Sequence, residues 1–132
     1  MLYLDPSALV KRYIAEEGSG LVLEAMDAAD AFSMCRVGFI ETVRALSLAD
    51  GDEDIKAFES DWLAFDVVEV DRMLTEQAAA LALSTQLRSL DALHLAAALL
   101  LPSADLTVAT WDVRLHRAAR GQGLQTLPVV LD

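Results

Sequence analysis

The chain has very little cysteine and no long apolar run. Its single cysteine, Cys35, cannot form an internal disulfide and cannot build a cysteine-rich metal cluster, so we interpret it as a small core residue. The longest apolar stretch, residues 92–101, contains His94 and ends before Pro102. It falls far short of the roughly 20 residues that cross a bilayer. These shortages exclude disulfide-stapled domains and helical membrane proteins.

Positive charge is also missing from the N-terminus. No basic segment precedes the first apolar run, and Asp5 interrupts that run at once. The sequence therefore predicts no signal peptide and a protein that stays in the cytoplasm. With 132 residues, 55% of them hydrophobic, the chain has enough apolar material for the core of one domain, which we assign to residues 1–132.

Basic residues are scarce in the chain as a whole. Ten Lys and Arg residues against 21 Asp and Glu residues give a formal net charge of −11, which argues against a nucleic-acid partner because phosphate binding depends on basic side chains. Ten of the acids lie within residues 50–76, where only Lys56 and Arg72 oppose them. That segment carries −8 and leaves −3 for the rest of the chain.

The position of the remaining basic residues is compatible with two charge distributions. Seven of them lie within seven positions of the acidic motifs described below: Lys11, Arg12, Arg36, Arg44, Arg88, Arg114 and Arg117. They could form a basic rim around an acidic site, or they could be dispersed for solubility. Both arrangements stay open at the level of sequence.

Short apolar runs alternate with helical patterns along the whole chain. Strands are predicted at residues 1–4, 31–35, 67–70, 106–109 and 124–130, with helices between them. This alternation predicts an α/β fold, a three-layer α/β/α arrangement around a central, mainly parallel sheet with right-handed crossovers. Ligands of such sheets bind beyond the carboxyl ends of the strands.

Four acidic residues lie where these predicted elements begin or end: Asp5, Glu41, Asp91 and Asp112. Asp5 follows the first strand directly and Asp112 follows the fourth strand by three residues, while Glu41 and Asp91 lie early in their helices. All four can reach the same rim of the sheet. Because a cluster of oxygen ligands favours Mg²⁺ or Mn²⁺ over zinc or copper, the pattern indicates a metal-dependent nuclease.

The same residues also have simpler interpretations. Asp5, Asp91 and Asp112 could each be only the cap of a helix, a frequent position for aspartate. Ser7 and Thr110 could hydrogen-bond a ligand carboxylate or a bound water, or could serve in local capping. Single motifs of this kind cannot distinguish a ligand from a cap.

Three further polar residues are interpreted as structural. His94 lies in the middle of an apolar helix and is predicted to be a packed or hydrogen-bonded histidine rather than a base. His116 is predicted to lie on the surface. Ser89 is predicted to cap the helix that carries Asp91.

Taken together, the motifs resemble the PIN-domain nucleases, and specifically the VapC-type toxins of bacterial toxin–antitoxin pairs. The resemblance runs from Met1 to about Val129. It is carried by four segments: Leu4-Asp5-Pro6-Ser7-Ala8-Leu9-Val10-Lys11, Ile40-Glu41 with Arg44-Ala45-Leu46, Ser89-Leu90-Asp91-Ala92-Leu93-His94-Leu95-Ala96, and Ala109-Thr110-Trp111-Asp112-Val113-Arg114-Leu115. Two positions depart from the common pattern, Pro6 and Trp111, and neither removes an acidic residue.

The resemblance implies an Mg²⁺-dependent endoribonuclease, with Mn²⁺ able to substitute, that forms a homodimer and is inhibited by a VapB-type antitoxin. Its catalytic metal ligands are the four acids: Asp5, Glu41, Asp91 and Asp112. Hydrolysis of RNA phosphodiester bonds would use metal-activated water and leave a 5′-phosphate and a 3′-hydroxyl. By their spacing, three basic residues are predicted RNA-phosphate contacts: Lys11, Arg44 and Arg114.

Two alternatives without nuclease activity are considered. A receiver-like phospho-acceptor domain also gathers carboxylates around Mg²⁺, but it needs a lysine after a late strand. The only lysines are Lys11 and Lys56, both in the first half of the chain. A catalytically inactive PIN-like domain kept for protein binding is the second alternative, and the presence of all four acids counts against it.

Overall fold

The computed structural model describes residues 1–102 and 104–132, and the α/β fold predicted from the sequence is confirmed there. The strands are β1 (Leu2–Leu4), β2 (Phe32–Cys35), β3 (Asp66–Val68), β4 (Thr107–Ala109) and β5 (Gln125–Leu127). The helices are α1 (Pro6–Tyr13), α2 (Ser19–Ala28), α3 (Val37–Leu48), α4 (Asp52–Trp62), α5 (Arg72–Thr85), α6 (Ser89–Leu99) and α7 (Val113–Gly121). Each lies within a few residues of a predicted element.

The five strands form one parallel sheet in the order β3-β2-β1-β4-β5. In the register of β1 and β4, Leu4 lies opposite Ala109. The chain fills one half of the sheet with β1, β2 and β3, and then crosses to the other half for β4 and β5. The crevice at the carboxyl ends of β1 and β4 is therefore the topological switch point, where ligands of open α/β sheets bind.

The central strands β1, β2 and β4 are largely buried and mostly apolar, whereas the edge strands β3 and β5 include the exposed Asp66 and Gln125. Leu2 and Leu4 pack in a cluster with α1, α2, α3 and α4, whereas Tyr3 between them packs in a cluster with α5, α6 and α7. Alternate residues of β1 thus point to opposite helical layers. The side chain of Tyr3 is one of the largest that is fully buried.

Two predicted boundaries are wrong for identifiable reasons. Ser89 is not a cap, because Arg88 adopts the extended backbone of the N-cap position and Ser89 is already helical. The last strand ends at Leu127 rather than residue 130, because Pro128 follows and has no N–H for a sheet hydrogen bond. Within the described ranges, none of the helices is both long enough and apolar enough to span a membrane.

Burial confirms one of the structural interpretations and contradicts another. Cys35 is a free thiol buried at the end of β2, as predicted. His116, predicted on the surface, is only 4% exposed, and its Nε2 lies 2.7 Å from the carbonyl oxygen of Pro128. The chain segment after β5 folds back over α7 and covers this ring.

Candidate functional site

Asp5 is the most enclosed of the four predicted acids, with only 3% of its surface exposed. Its Oδ1 accepts hydrogen bonds from the Ser7 hydroxyl at 2.6 Å and from the Ala8 amide at 3.0 Å. Its Oδ2 accepts one from the Thr110 hydroxyl at 2.6 Å. Burial raises the pKa of Asp5, and the nearby imidazole of His94 and these donors oppose the rise.

The hydroxyl groups of Ser7 and Thr110 also bind the segment after β4 to the end of β1 through hydrogen bonds. The Ser7 oxygen accepts from the Trp111 amide at 2.8 Å, and the Thr110 oxygen accepts from the Asp112 amide at 3.0 Å. Asp112 in turn caps α7, accepting from the Leu115 amide at 2.9 Å. We call Asp5, Ser7, Thr110 and Asp112 the strand-end half of the site.

Trp111 and Lys11 are packed together beside this half. The Trp111 ring lies against Gly18, and the Lys11 ammonium lies 4.9 Å from the ring centroid. Lys11 is 8% exposed, and its Nζ donates to the Glu17 carbonyl at 2.7 Å and pairs with Glu16 at 3.1 Å. Lys11, predicted from the sequence to contact RNA phosphate, is thus engaged with Glu16 and Glu17 inside the fold.

Glu41 and Asp91 are carried by helices and form, with His94, what we call the helix half of the site. Glu41 lies in the second turn of α3, and its Oε1 is 2.7 Å from Nε2 of His94. Nδ1 of His94 is 2.6 Å from the Tyr3 hydroxyl, which accepts a hydrogen bond from the Cys35 amide at 3.0 Å. The prediction of a packed, hydrogen-bonded histidine at position 94 is confirmed.

The direction of these hydrogen bonds follows from the Cys35 amide, which can only donate. The Tyr3 oxygen accepts from it and uses its own hydrogen to donate to Nδ1 of His94. In the neutral ring the proton is then assigned to Nε2, which donates to Glu41. Burial raises the pKa of Tyr3 well above its usual value, so this hydroxyl keeps its proton.

Asp91 lies in the first turn of α6, and the structure contradicts its interpretation as a cap. The cap position belongs to Arg88, and the Asp91 carboxylate makes no hydrogen bond with the residues described. Burial raises the pKa of Asp91, and the negative charge of Asp112 raises it further. Asp5 and Glu41 act in the same direction, while His94 opposes them.

Hydrogen bonds through Thr110 place Asp5 and Asp112 beside each other, and His94, one helical turn after Asp91, places Glu41 beside α6. The charges of Asp112, Asp5 and Glu41 all act on the pKa of Asp91, as expected for acids that lie near one another. Asp5, Glu41 and Asp112 nevertheless each have a hydrogen-bond partner in the surrounding protein, whereas Asp91 has none among the residues described. Within residues 1–102 and 104–132, no group of three or more His, Cys, Asp or Glu side chains is arranged to hold a metal ion as it stands.

Three of the seven basic residues near the motifs form ion pairs, namely Lys11 with Glu16, Arg12 with Asp61 and Arg36 with Glu69. Arg44 is exposed on α3, where it borders an apolar groove with Ile40 and Leu48. A rim made of all seven residues is therefore not what the structure contains.

Arg114 and Arg117 line a polar groove between α7 and the connection from α5 to α6. Neither forms an ion pair with the residues described. One wall of the groove belongs to α7, the helix that Asp112 caps, and the other, residues 85–87, precedes the helix that carries Asp91. Sequence reasoning included Arg117 in the possible basic rim but did not name it as a phosphate contact, although its three-residue spacing from Arg114 places both on one helical face.

Comparison with known proteins agrees with this architecture. The profile of the PIN domain family matches residues 2–121. Ribonuclease VapC45 of Mycobacterium tuberculosis (strain CDC 1551 / Oshkosh) is 35% identical, and the alignment covers 100% of this chain and 98% of the relative. Ribonuclease VapC49 of Mycobacterium tuberculosis (strain ATCC 25618 / H37Rv) gives the same values.

Solved structures with the same fold are more distant in sequence. A structure of FitAB bound to an IR36 DNA fragment is 16% identical, with a TM-score of 0.75 over 100% of this chain and 98% of that one. A toxin–antitoxin complex from Klebsiella pneumoniae is 17% identical, with a TM-score of 0.68 over 85% of this chain and 87% of that one. At these identities the likeness establishes the fold.

Proposed function

This chain belongs to the PIN domain family, and from that premise we propose that it is a metal-dependent endoribonuclease acting as the toxin of a toxin–antitoxin pair. Relatives named as ribonucleases, 35% identical over the full chain, support the proposal. The observation that supports it is the position of Asp5 and Asp112 beside each other at the carboxyl ends of β1 and β4, with Asp91 under the influence of the charges of Asp112, Asp5 and Glu41. Ligands bind at this position in open parallel sheets.

The chemistry of the donor set fits Mg²⁺, with Mn²⁺ as a substitute. Asp5, Glu41, Asp91 and Asp112 offer only oxygen, and both ring nitrogens of His94 are already hydrogen-bonded. A cation there would supply a Lewis acid at the phosphate and lower the pKa of a water molecule. Since the carboxylates are not preassembled around one point within the described residues, their side chains would draw together on binding.

The residues around the acids would position the substrate and the ligands. Ser7 and Thr110 fix the Asp5 carboxylate with short hydrogen bonds from both sides. Arg114 and Arg117, on the helix that Asp112 caps, would contact phosphates flanking the scissile bond. Attack by water rather than by a ribose 2′-hydroxyl would leave a 5′-phosphate and a 3′-hydroxyl.

The test is RNA cleavage by the purified protein, with mapping of the product ends. Asp5→Asn and Asp91→Asn should each slow Mg²⁺-dependent cleavage at least about a hundredfold. Asp71→Asn is a matched control, because Asp71 also caps a helix but belongs to α5, outside the cleft. Products ending in a 2′,3′-cyclic phosphate, or cleavage that persists without metal, would contradict the proposal.

The proposed phosphate contacts have their own measurement. In an Asp5→Asn background, which can bind RNA without cutting it, Arg114→Gln with Arg117→Gln should weaken binding and lower the salt-dependence slope by about two. Arg72→Gln is the control, because Arg72 is exposed and lies on α5, away from the groove, where it pairs with Glu76 of the same helix. An unchanged slope in the double variant would remove the groove from the substrate path.

The proposed partners are a VapB-type antitoxin that covers the cleft and a second copy of the chain. The Klebsiella pneumoniae relative was solved as a toxin–antitoxin complex, which supports the first partner. Exposed apolar side chains such as Ile40 and Leu48 on α3 offer area for such contacts. Co-expression with the adjacent reading frame should give a complex and relieve toxicity, and failure of both would exclude this partner.

A further inference from the structure

We propose that His94 is a positioning residue, which fixes the Glu41 carboxylate at the acidic cleft while Tyr3 fixes the orientation and tautomer of the imidazole. The inference rests on the proposed function, because it takes Glu41 as one of the acids that act on RNA. It assigns a role to a buried chain of polar groups that helix capping and core packing do not explain.

The first support is the contrast in how the carboxylates are held. Asp5 receives its donors from Ser7 and Ala8, close in sequence, and from the neighbouring strand end. Glu41 has no donor from its own helix, and its side chain is 28% exposed. The donor that restrains it comes from His94 on α6, at 2.7 Å.

The second support is the consistency of the hydrogen-bond directions. His94 is 2% exposed, and its ring meets the Tyr3 ring edge to face at a centroid distance of 5.9 Å. The chain from the Cys35 amide through Tyr3 and His94 satisfies every buried polar group only if Nε2 carries the proton. One oxygen of Glu41 is thereby fixed, and Oε2 accepts no hydrogen bond from the residues described.

The third support is Gly38, one helical turn before Glu41. A Cβ atom at this position would lie 3.3 Å from Cε1 of His94 and 2.6 Å from Cγ of Met34. The closest approach is to the Met34 side chain, and the distance to Cε1 shows that the imidazole also packs against the first turn of α3. The site for the ring is therefore formed by α3 as well as by the residues that bind its nitrogens.

A hydrogen-bond donor next to a metal-binding carboxylate limits the rotation of that carboxylate and determines which oxygen lone pair faces the metal ion. Such outer contacts are worth about 10–100-fold in metal affinity or activity. The imidazole is suited to this role, because its two nitrogens connect the buried Tyr3 hydroxyl to the partly exposed Glu41.

The experiment compares two substitutions of the same ring. The amide of His94→Gln reaches about as far as Nε2 and can still donate to Glu41, whereas the shorter His94→Asn reaches only about as far as Nδ1. Both replace a buried ring by an amide, and urea unfolding of the metal-free proteins should show similar losses of stability. The affinity for Mn²⁺, measured by calorimetry in the absence of RNA, reports the effect of each substitution on Glu41.

We expect His94→Asn to weaken Mn²⁺ binding about tenfold or more and His94→Gln to stay within about threefold of wild type. The rate of RNA cleavage should follow the same order. If the two variants lose Mn²⁺ affinity equally, or neither loses any, His94 is only a core residue and the inference is overturned.

A spectroscopic measurement keeps the inference separate from the proposed function. The ¹⁵N shifts of His94 in the metal-free wild type should report a proton on Nε2 and none on Nδ1. A proton on Nδ1 alone would overturn the inference whatever the protein does to RNA. Cleavage that is indifferent to metal and to Asp5→Asn would instead overturn the proposed function, and the Nε2 assignment would still stand or fall by its own spectrum.

Discussion

The strand-end half and the helix half of the cleft hold the same kind of side chain by different means. Asp5 and Asp112 sit where β1 and β4 end, and each accepts a hydrogen bond from an amide three residues further along the chain. Glu41 and Asp91 sit on helices and receive no such local bond. Glu41 is held by a histidine 53 residues away, and Asp91 by no hydrogen bond within the described residues.

The difference teaches that one half of the cleft is set by local chain geometry and the other by helix packing. A capping carboxylate is positioned as soon as its helix forms, because donor and acceptor belong to the same turn. The position of Glu41 depends instead on the approach of α3 to α6 and on the ring between them. The strand-end half should therefore resist changes elsewhere in the core, and the helix half should not.

The largest expected losses of stability come from replacing two glycines. Gly18 packs against Trp111 beside the strand-end half, and Gly38 packs against Met34 and against His94 of the helix half. Gly18→Ala should destabilise the protein by about 2–4 kcal/mol, because φ is +90° and a Cβ would lie 2.7 Å from the Trp111 ring. Gly38→Ala should cost about 0–2 kcal/mol, since displacing Met34 and His94 is partly offset by better helix propensity. Urea unfolding measures both.

Gly20→Ala is the control for this pair, because Gly20 is helical and nothing lies within 4 Å of its added Cβ. It should be neutral or stabilising by up to about 1 kcal/mol.

Measuring the affinity for Mn²⁺ sharpens the comparison between the halves. Gly38→Ala should weaken Mn²⁺ binding, because the added methyl group shifts His94. A Gly38→Ala protein with unchanged Mn²⁺ binding would show that the helix half is less dependent on packing than we infer.

A medium effect is expected in the pH dependence of the metal-free protein. The pKa values of Asp5 and Asp91 are raised above their ordinary value of 3.8, so between that value and the raised pKa the native state binds more protons than the unfolded state. These two groups therefore make stability fall as pH rises through this window, by at most about 1.4 kcal/mol per pH unit for each proton.

Asp5→Asn and Asp91→Asn should each remove part of this fall, and urea unfolding between about pH 4 and 7 measures it. Differences from wild type are the useful quantity, because Arg36 lowers the pKa of Glu69 and this pair contributes with the opposite sign as pH drops below 4.5. If both variants keep the wild-type pH profile, Asp5 and Asp91 are not the source of the pH dependence.

The smallest effect is expected next to Glu41, at Thr42. Its side chain is buried, and its hydroxyl has no hydrogen-bond partner among the residues described. Thr42→Val should leave stability unchanged or raise it by up to about 1 kcal/mol, because an unsatisfied buried hydroxyl is replaced by a methyl group. A clear loss of stability would mean that the Thr42 hydroxyl is satisfied after all.

Thr126→Val is the matched control in β5, where the hydroxyl accepts from Arg120 at 3.3 Å. That substitution should cost about 1 kcal/mol, because a hydrogen bond is lost. The two substitutions together compare an unsatisfied hydroxyl next to Glu41 with a hydrogen-bonded hydroxyl in β5. They test whether the region around Glu41 tolerates a buried polar group that has no hydrogen bond.

The sequence alone determined the order of strands and helices and the positions of Asp5 and Asp112 at the ends of strands. Alternating apolar runs predict the parallel sheet, and an acid at the end of a strand and the start of a helix places Asp5 and Asp112 at one rim. These features depend on residues within a few positions of one another. Hydrophobic period and capping preference are therefore sufficient to predict them.

Only the tertiary structure decided what surrounds the acids. The Thr110 hydroxyl reaches Asp5 over 105 residues, and Tyr3 reaches His94 over 91. The same is true of the ion pairs of Arg12 and Arg36, which remove both from the predicted basic rim. Such contacts depend on strand order and on the rotation of each helix about its axis. Periodicity shows that a helix has a buried face, but it does not show which distant side chain that face will meet.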